Sequence, residues 1–169
     1  MKIESVNELF ERELCYVYDC EQKLVKEGLP DMIENASSTE LRTALEQHLQ
    51  ETRNQVTRLE QVFSIVGRDV KAEDNDILDE ITKHAKKMAK AIDSAPLRDA
   101  ALIVSGNQVE HYEMAVYGSL VAFAQQLGFS DAARLLQQTL DEEKAADAKL
   151  TQIAEQSVNP RAVQIPRAA

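Results

Sequence analysis

The residues able to do chemistry in this chain are carboxylates standing where a helical bundle would place hydrophobes. Across Val109-Glu110-His111-Tyr112-Glu113 the heptad columns read Ile103, Glu110, Tyr117, Ala124 and Gly106, Glu113, Leu120, Leu127. Apolar residues at that spacing mark the inward stripe of a helix, so both glutamates interrupt a core-facing surface. Three residues apart, they leave one face about 5–6 Å from each other. Two ionised carboxyls aimed at a core repel one another and lose hydration, and a bound cation would compensate both costs. For one pair alone the plainer reading is favoured, in which water at a groove or subunit edge solvates the acids, because buried acids are rare.

The anomaly recurs on other helices. The first segment has the stripe Phe10, Leu14, Val17, Glu21, Leu24. The second reads Leu45, Leu49, Thr52, Val56, Leu59, Phe63, with His48 on its shoulder, Glu51 further round and Gln55 bordering the apolar face. In the last, Leu136, Leu140, Glu143, Asp147, Leu150, Ala154, an acid pair four residues apart fills two core positions between leucines, and Glu142 faces the surface. Each acid lies near mid-helix, so antiparallel packing brings them to one level. Hard oxygen donors with one imidazole suit iron or manganese, and di-metal carboxylate bundles gather ligands this way. Tyr112 and Tyr117 are candidates for relaying electrons or hydrogen bonds, with ordinary aromatic packing as the equal alternative.

The elements that must position these groups follow from periodicity and punctuation. Long helices are expected over Val6 to Gly28, Thr39 to Gly67, Pro96 to Gly128 and Asp131 to about Gln156. Ser37-Ser38-Thr39-Glu40 reads as a capping box, Ser130 as a cap, and Gly67 as a C-terminal stop. Gly28-Leu29-Pro30 interrupts the first helix, with Pro30 restarting a short turn through Ile33, and Asn159-Pro160 stops the last. Arg68 to Asp76 reads as a loop, followed by an amphipathic accessory helix through Ile77, Leu78, Ile81, Ala85, Met88 and Ile92. Short links make the first two and last two long helices antiparallel pairs. The long connection between them can travel the length of the bundle. The expected fold is an all-α, ferritin-like four-helix bundle with one long crossover carrying a short accessory helix. Residues 1–159 form the bundle and 160–169 a flexible tail.

Composition narrows the function classes. The chain has 169 residues, enough for one domain with a substantial core, and a formal charge of −10. That charge opposes a nucleic-acid surface or a polybasic membrane contact. No secretory signal and no transmembrane window is visible, so a cytoplasmic location is expected. Cys15 and Cys20, five apart on one helix, face different directions and read as free thiols. With no Cys-x-x-Cys, a rubredoxin-like knuckle is absent. His84, among Lys83, Lys86 and Lys87, belongs to a basic outer face. Val104, Val121 and Phe129 fall outside the core columns and suit an interface or the accessory helix.

The chain resembles the YciE/YciF-type ferritin-like stress proteins over nearly its full length. The carrying segments are Tyr18-Asp19-Cys20-Glu21-Gln22-Lys23-Leu24, His48-Leu49-Gln50-Glu51-Thr52, Arg98-Asp99-Ala100-Ala101-Leu102-Ile103, Val109-Glu110-His111-Tyr112-Glu113 and Glu142-Glu143-Lys144-Ala145-Ala146-Asp147. The resemblance implies a helical bundle, often dimeric, with a rubrerythrin-like di-metal centre and ferroxidase-type activity in a stress response. The wider ferritin-like pattern has Glu-x-x-His on two helices, whereas Asn54 follows Glu51 here and Ala146 follows Glu143. Gln55, Asp147 and His48 are the residues placed to compensate. The expected centre therefore holds two Fe ions, with Mn or Zn as alternatives, through Glu21, Glu51, Glu110, Glu113 and Glu143. Glu51 and Glu113 would bridge, Asp147 and His48 would be outer or terminal ligands, and O2 or peroxide would be the oxidant. A metal-free helical bundle acting as a stress scaffold or interaction module is the alternative.

Overall fold

A computed structural model describes residues 2–164 of the chain. Helix α1 (Val6–Lys23) starts at Ser5, whose Oγ accepts the Glu8 amide at 3.1 Å. Helices α2 (Leu29–Asn35) and α3 (Thr39–Ile65) follow. Ser38 rather than Ser37 caps α3 by accepting the Leu41 amide, so Glu40 falls one residue short of the position a capping box needs. The Ser37 hydroxyl donates to Asp99 instead. Accessory helix α4 (Asp76–Lys90) precedes α5 (Ala95–Gln126), α6 (Ser130–Ile153) and the short α7 (Asn159–Val163). Helices α3 and α5 end at Gly67 and Gly128, both at positive φ (70° and 81°), which only glycine adopts without steric cost.

Two sequence expectations need correction at the prolines. Neither Pro30 nor Pro160 breaks its helix. A π-helical turn, Leu24–Gly28 or Ala154–Val158, comes just before Leu29-Pro30 and Asn159-Pro160, and the helical path runs on. A proline ring clashes with the carbonyl four residues back. The extra residue in a π turn shifts that carbonyl, so the chain continues through the proline. Of the tail expected over 160–169, residues through Val163 are helical, and 165–169 lie outside the described residues. Ser130 is also not a cap. Helix α6 begins at Ser130 with Phe129 as the preceding residue, whose ring stacks on Phe10 at 6.2 Å and closes that end of the bundle.

Helix α1 packs on α3 and α5, and α6 packs on the same two, giving a square of alternating directions. Helices α3 and α5 thus lie diagonally and run the same way, and the crossover bearing α4 makes this possible. The result is the ferritin-like arrangement predicted by the sequence. Asn75 ties the crossover down. Its side chain caps α4 by accepting the Leu78 amide (3.0 Å) and donates to the Tyr16 carbonyl (3.0 Å) and Tyr112 hydroxyl (2.7 Å). Its own amide donates to Asp19 (3.0 Å).

The core is divided in two. One apolar cluster includes Phe10, Leu14, Val17, Leu59, Phe63, Tyr117, Leu120 and Leu136. The other includes Leu24, Leu41, Leu45, Leu102, Ile103, Leu150 and Ile153. On each long helix the buried residues between these clusters are polar: Glu21 on α1, His48, Thr52 and Gln55 on α3, Glu110 and Glu113 on α5, Glu143 on α6. Val121 and Phe129 belong to or pack on the first cluster, so of the three candidate interface residues only Val104 stays exposed, at 59%.

Candidate metal centre

Every residue of the polar layer is delivered by a helix whose neighbouring turns are locked in an apolar cluster, so the side chains have little freedom to escape to water. Glu21, Glu113 and Glu143 are essentially inaccessible, and Glu110 and His48 are buried. His48 Nε2 lies 3.2 Å from Glu110 Oε1 and 3.9 Å from Glu143 Oε2. His48, Glu110 and Glu143 each offer a donor atom within 4.8 Å of the others, the one such group among the described residues. Glu21 accepts a short hydrogen bond from the Tyr117 hydroxyl, which places Tyr117 at the layer. The Cys20 thiol sits 3.7 Å from Glu113. Tyr112 is engaged with Asn75 instead.

The electrostatics match the crowding. Burial, then the carboxylates of Glu21, Glu143 and Glu110, push the Glu113 carboxyl well above its usual range. Burial and the charges of Glu21 and Glu110 raise Glu143, against the opposing pull of His48. Burial also raises Glu21, to about 7, although the Tyr117 hydrogen bond and His48 work the other way. For His48 burial disfavours the cation, but Glu110, Glu51 and Glu143 outweigh it and the imidazole is held protonated well above its ordinary range. Burial and mutual repulsion thus favour protonated carboxyls at Glu21, Glu113 and Glu143, and the neighbouring acids favour a protonated His48.

Two of the seven expected ligands stand apart. Glu51 is half-buried, with Oε2 3.6 Å from His48 Nδ1, on the edge of the imidazole opposite to Glu110. Asp147 lies 3.2 Å from the Nε2 of the exposed His111. Glu142 was expected at the surface and instead receives both Arg58 guanidinium nitrogens, at 2.8 and 2.9 Å, and Gln55 Nε2 at 3.1 Å. Arg58 also donates to Thr139 at 2.6 Å. The signal for this network was present, since Thr52, Gln55 and Arg58 are polar residues at helical spacing along the buried face. His84 is exposed and both cysteines are free, as their sequence positions suggest.

Several buried atoms of the layer lack a hydrogen-bond partner: one oxygen each of Glu21, Glu110 and Glu113, both oxygens of Glu143, and His48 Nδ1. Unmatched acceptors in a dry interior cost about 1–3 kcal/mol each. Carboxylate oxygens with one imidazole are the donor set of iron, manganese or zinc, so the residues present fit a divalent metal.

The family described as Domain of unknown function (DUF892) matches residues 5–163. The chain belongs to this family. It is 36% identical to Protein YciF of Escherichia coli (strain K12) over 163 residues, 96% of this chain and 98% of that protein. The crystal structure of the E. coli stress protein YciF superposes with a TM-score of 0.88 at 35% identity, covering 93% of this chain and 99% of the other. YcfI from Rhodopseudomonas palustris gives 0.86 at 39% identity over 89% and 95%. A Xanthomonas campestris protein at 18% identity, with a TM-score of 0.73, shares the fold. Within the DUF892 chain described here, no helix of the described residues is long and apolar enough to cross a membrane.

Proposed function

We propose that this protein is a ferritin-like di-metal carboxylate protein that oxidises Fe(II) with O2 or peroxide in a stress response. The observation that carries the reading is the set of four buried glutamates with unpartnered oxygens around one imidazole, held between two apolar clusters. His48, Glu110 and Glu143 would hold one ion, with Glu21 and Glu113 beside them for a second. Two iron ions bound there would supply one electron each to the oxidant. The chain's own part is to exclude water, to fix the carboxylates at one level, and to take up protons when cations leave. Tyr117 positions Glu21 by donating to it. A homodimer in the cytoplasm belongs to the same proposal, with exposed Val104 as its interface marker.

Anaerobic Fe(II) titration followed by O2 tests this. Uptake of about two ions per chain and oxidation faster than the buffer background are expected, and both should be lost in Glu110→Gln. No uptake by the intact chain would dispose of the reading.

One observation favours the second reading, a metal-free scaffold. The His48 imidazole, 3.2 Å from Glu110 and 3.9 Å from Glu143, offsets part of the acid charge without any metal, and burial favours the neutral forms of Glu113 and Glu143. Thermal melts with and without Fe(II) or Mn(II) discriminate, because a ligand of the native state raises its stability by mass action.

A further inference from the structure

The apolar clusters close the polar layer along the bundle axis in both directions, so a cation must reach it from the side. Between α3 and α6 a cavity of about 220 Å³ does reach it, and buried His48 and Glu110 form its inner end. Ala145 and Ala146 line it on the α6 side, where short side chains leave the space open. Two charged residues of the lining remain accessible to water, half-buried Glu51 and exposed Lys149. Glu51 stands on the outer edge of the His48 ring, with Oε2 3.6 Å from Nδ1. Nε2, on the inner edge, faces Glu110 and Glu143.

Resting on the metal reading above, we infer that this cavity is the route by which divalent cations enter the layer, with Glu51 as a transfer carboxylate at its mouth. Glu51 captures the hydrated ion and passes it beyond the His48 ring to Glu110 and Glu143, and it is not one of the final ligands. A carboxylate suits the task because it replaces water around the ion before the dry interior is reached, lowering the desolvation barrier. Lys149 opposes the same charge from the same mouth, so the two residues should act on the rate with opposite sign.

The test uses the full chain stripped of metal with chelator and Co(II) as the probe. Uptake is followed by stopped-flow absorbance, and the end point by equilibrium dialysis. Ala146→Leu should slow uptake about tenfold without changing the number of ions bound, by narrowing the route. Ala145→Leu, at an exposed position, repeats the obstruction without entering the core. Glu51→Gln should slow uptake roughly threefold and Lys149→Gln should speed it by a similar factor, and both effects should fade at about 0.5 M salt. Ala148→Leu, exposed on the same helix outside the cavity, is the control and should match the parent. A residue with only a structural role would not produce effects of opposite sign for the two charges. Rates within twofold for all four cavity variants would overturn the inference while leaving the metal reading intact. Fewer ions bound by Glu51→Gln would overturn the transfer role and make Glu51 a ligand. No Co(II) uptake by the parent chain would overturn both.

Discussion

Removing metal and varying pH should expose the cost of the polar layer directly. In the unfolded chain Glu21 titrates near 4.5, and in the folded, metal-free chain its carboxyl holds its proton to about 7. Between those values the unfolded state has released a proton that the folded state still binds, so stability falls as pH rises. At ~1.4 kcal/mol for each pH unit, Glu21 alone accounts for about 3 kcal/mol lost by pH 7. Glu113 and Glu143, also raised, extend the loss to higher pH. His48 works with the same sign. Its stabilisation is complete below the ordinary imidazole value near 6.5 and is lost as pH climbs through its raised folded value. Glu51 and Glu142, both lowered, set the acid side, since their contribution is present above 4.5 and fades below it. These groups share one layer, so the measured midpoints belong to the set. Thermal melts in chelator should therefore peak near pH 5 and fall toward pH 8 by at least about 6–12 °C, the share of Glu21 alone. Glu21→Gln should flatten the alkaline limb. Divalent metal should flatten or reverse it, because ions replace protons more readily as pH rises. A metal-free profile that is level or rising between pH 5 and 8 would refute the claim that these acids are dry and crowded.

Three further outcomes follow from contacts elsewhere. Asp99→Ala should cost about 2–4 kcal/mol in a urea melt, because Asp99 accepts from the Ser37 amide, the Ser37 hydroxyl and the Ser38 amide at 2.7, 2.6 and 2.9 Å. Arg58→Met should destabilise by about 2–4 kcal/mol, whereas adding Glu142→Gln should recover part of that loss, since each charge alone is stranded beside Thr139 and Gln55. Gly128→Ala should cost about 1 kcal/mol through its φ of 81°, with no steric clash to add because nothing lies within 4 Å of the new methyl.

Periodicity carried most of the fold because the bundle obeys it so regularly. Phe10, Leu14, Val17, Glu21 and Leu24 are all buried, and so are Ile103, Glu110, Tyr117 and Ala124. What escaped it were places where a second element decides the outcome. Pro30 and Pro160 carry the sequence signature of breaks, yet one extra residue in the preceding turn absorbs each ring. Ser130 looks like a cap, but the Phe129–Phe10 stack fixes the entrance to α6 instead. Glu142 and Glu143 are adjacent acids on one helix. Their different environments come from α3, which presents Arg58 to one and His48 to the other. Spacing identifies the face on which a carboxylate lies, and only the neighbouring helix determines whether it meets a guanidinium, an imidazole or another acid.

That distinction bears on why the layer is tolerated at all. A carboxyl paired with Arg58 is settled in the folded chain, and Glu142 needs nothing more. Glu21, Glu113 and Glu143 have no such cation, since the single imidazole facing Glu110 and Glu143 cannot neutralise every acid around it. Replacing them with leucines would join the two apolar clusters into one continuous core and remove several unpartnered oxygens, so structure alone gives no reason for their presence. An inward-facing excess of acid, fixed on three separate helices around an imidazole from the fourth and reached by a side cavity, is what a cation site requires and what a purely structural bundle would avoid. The metal-free scaffold therefore has to explain a destabilising feature repeated on three helices, while the metal reading turns the same feature into its binding energy.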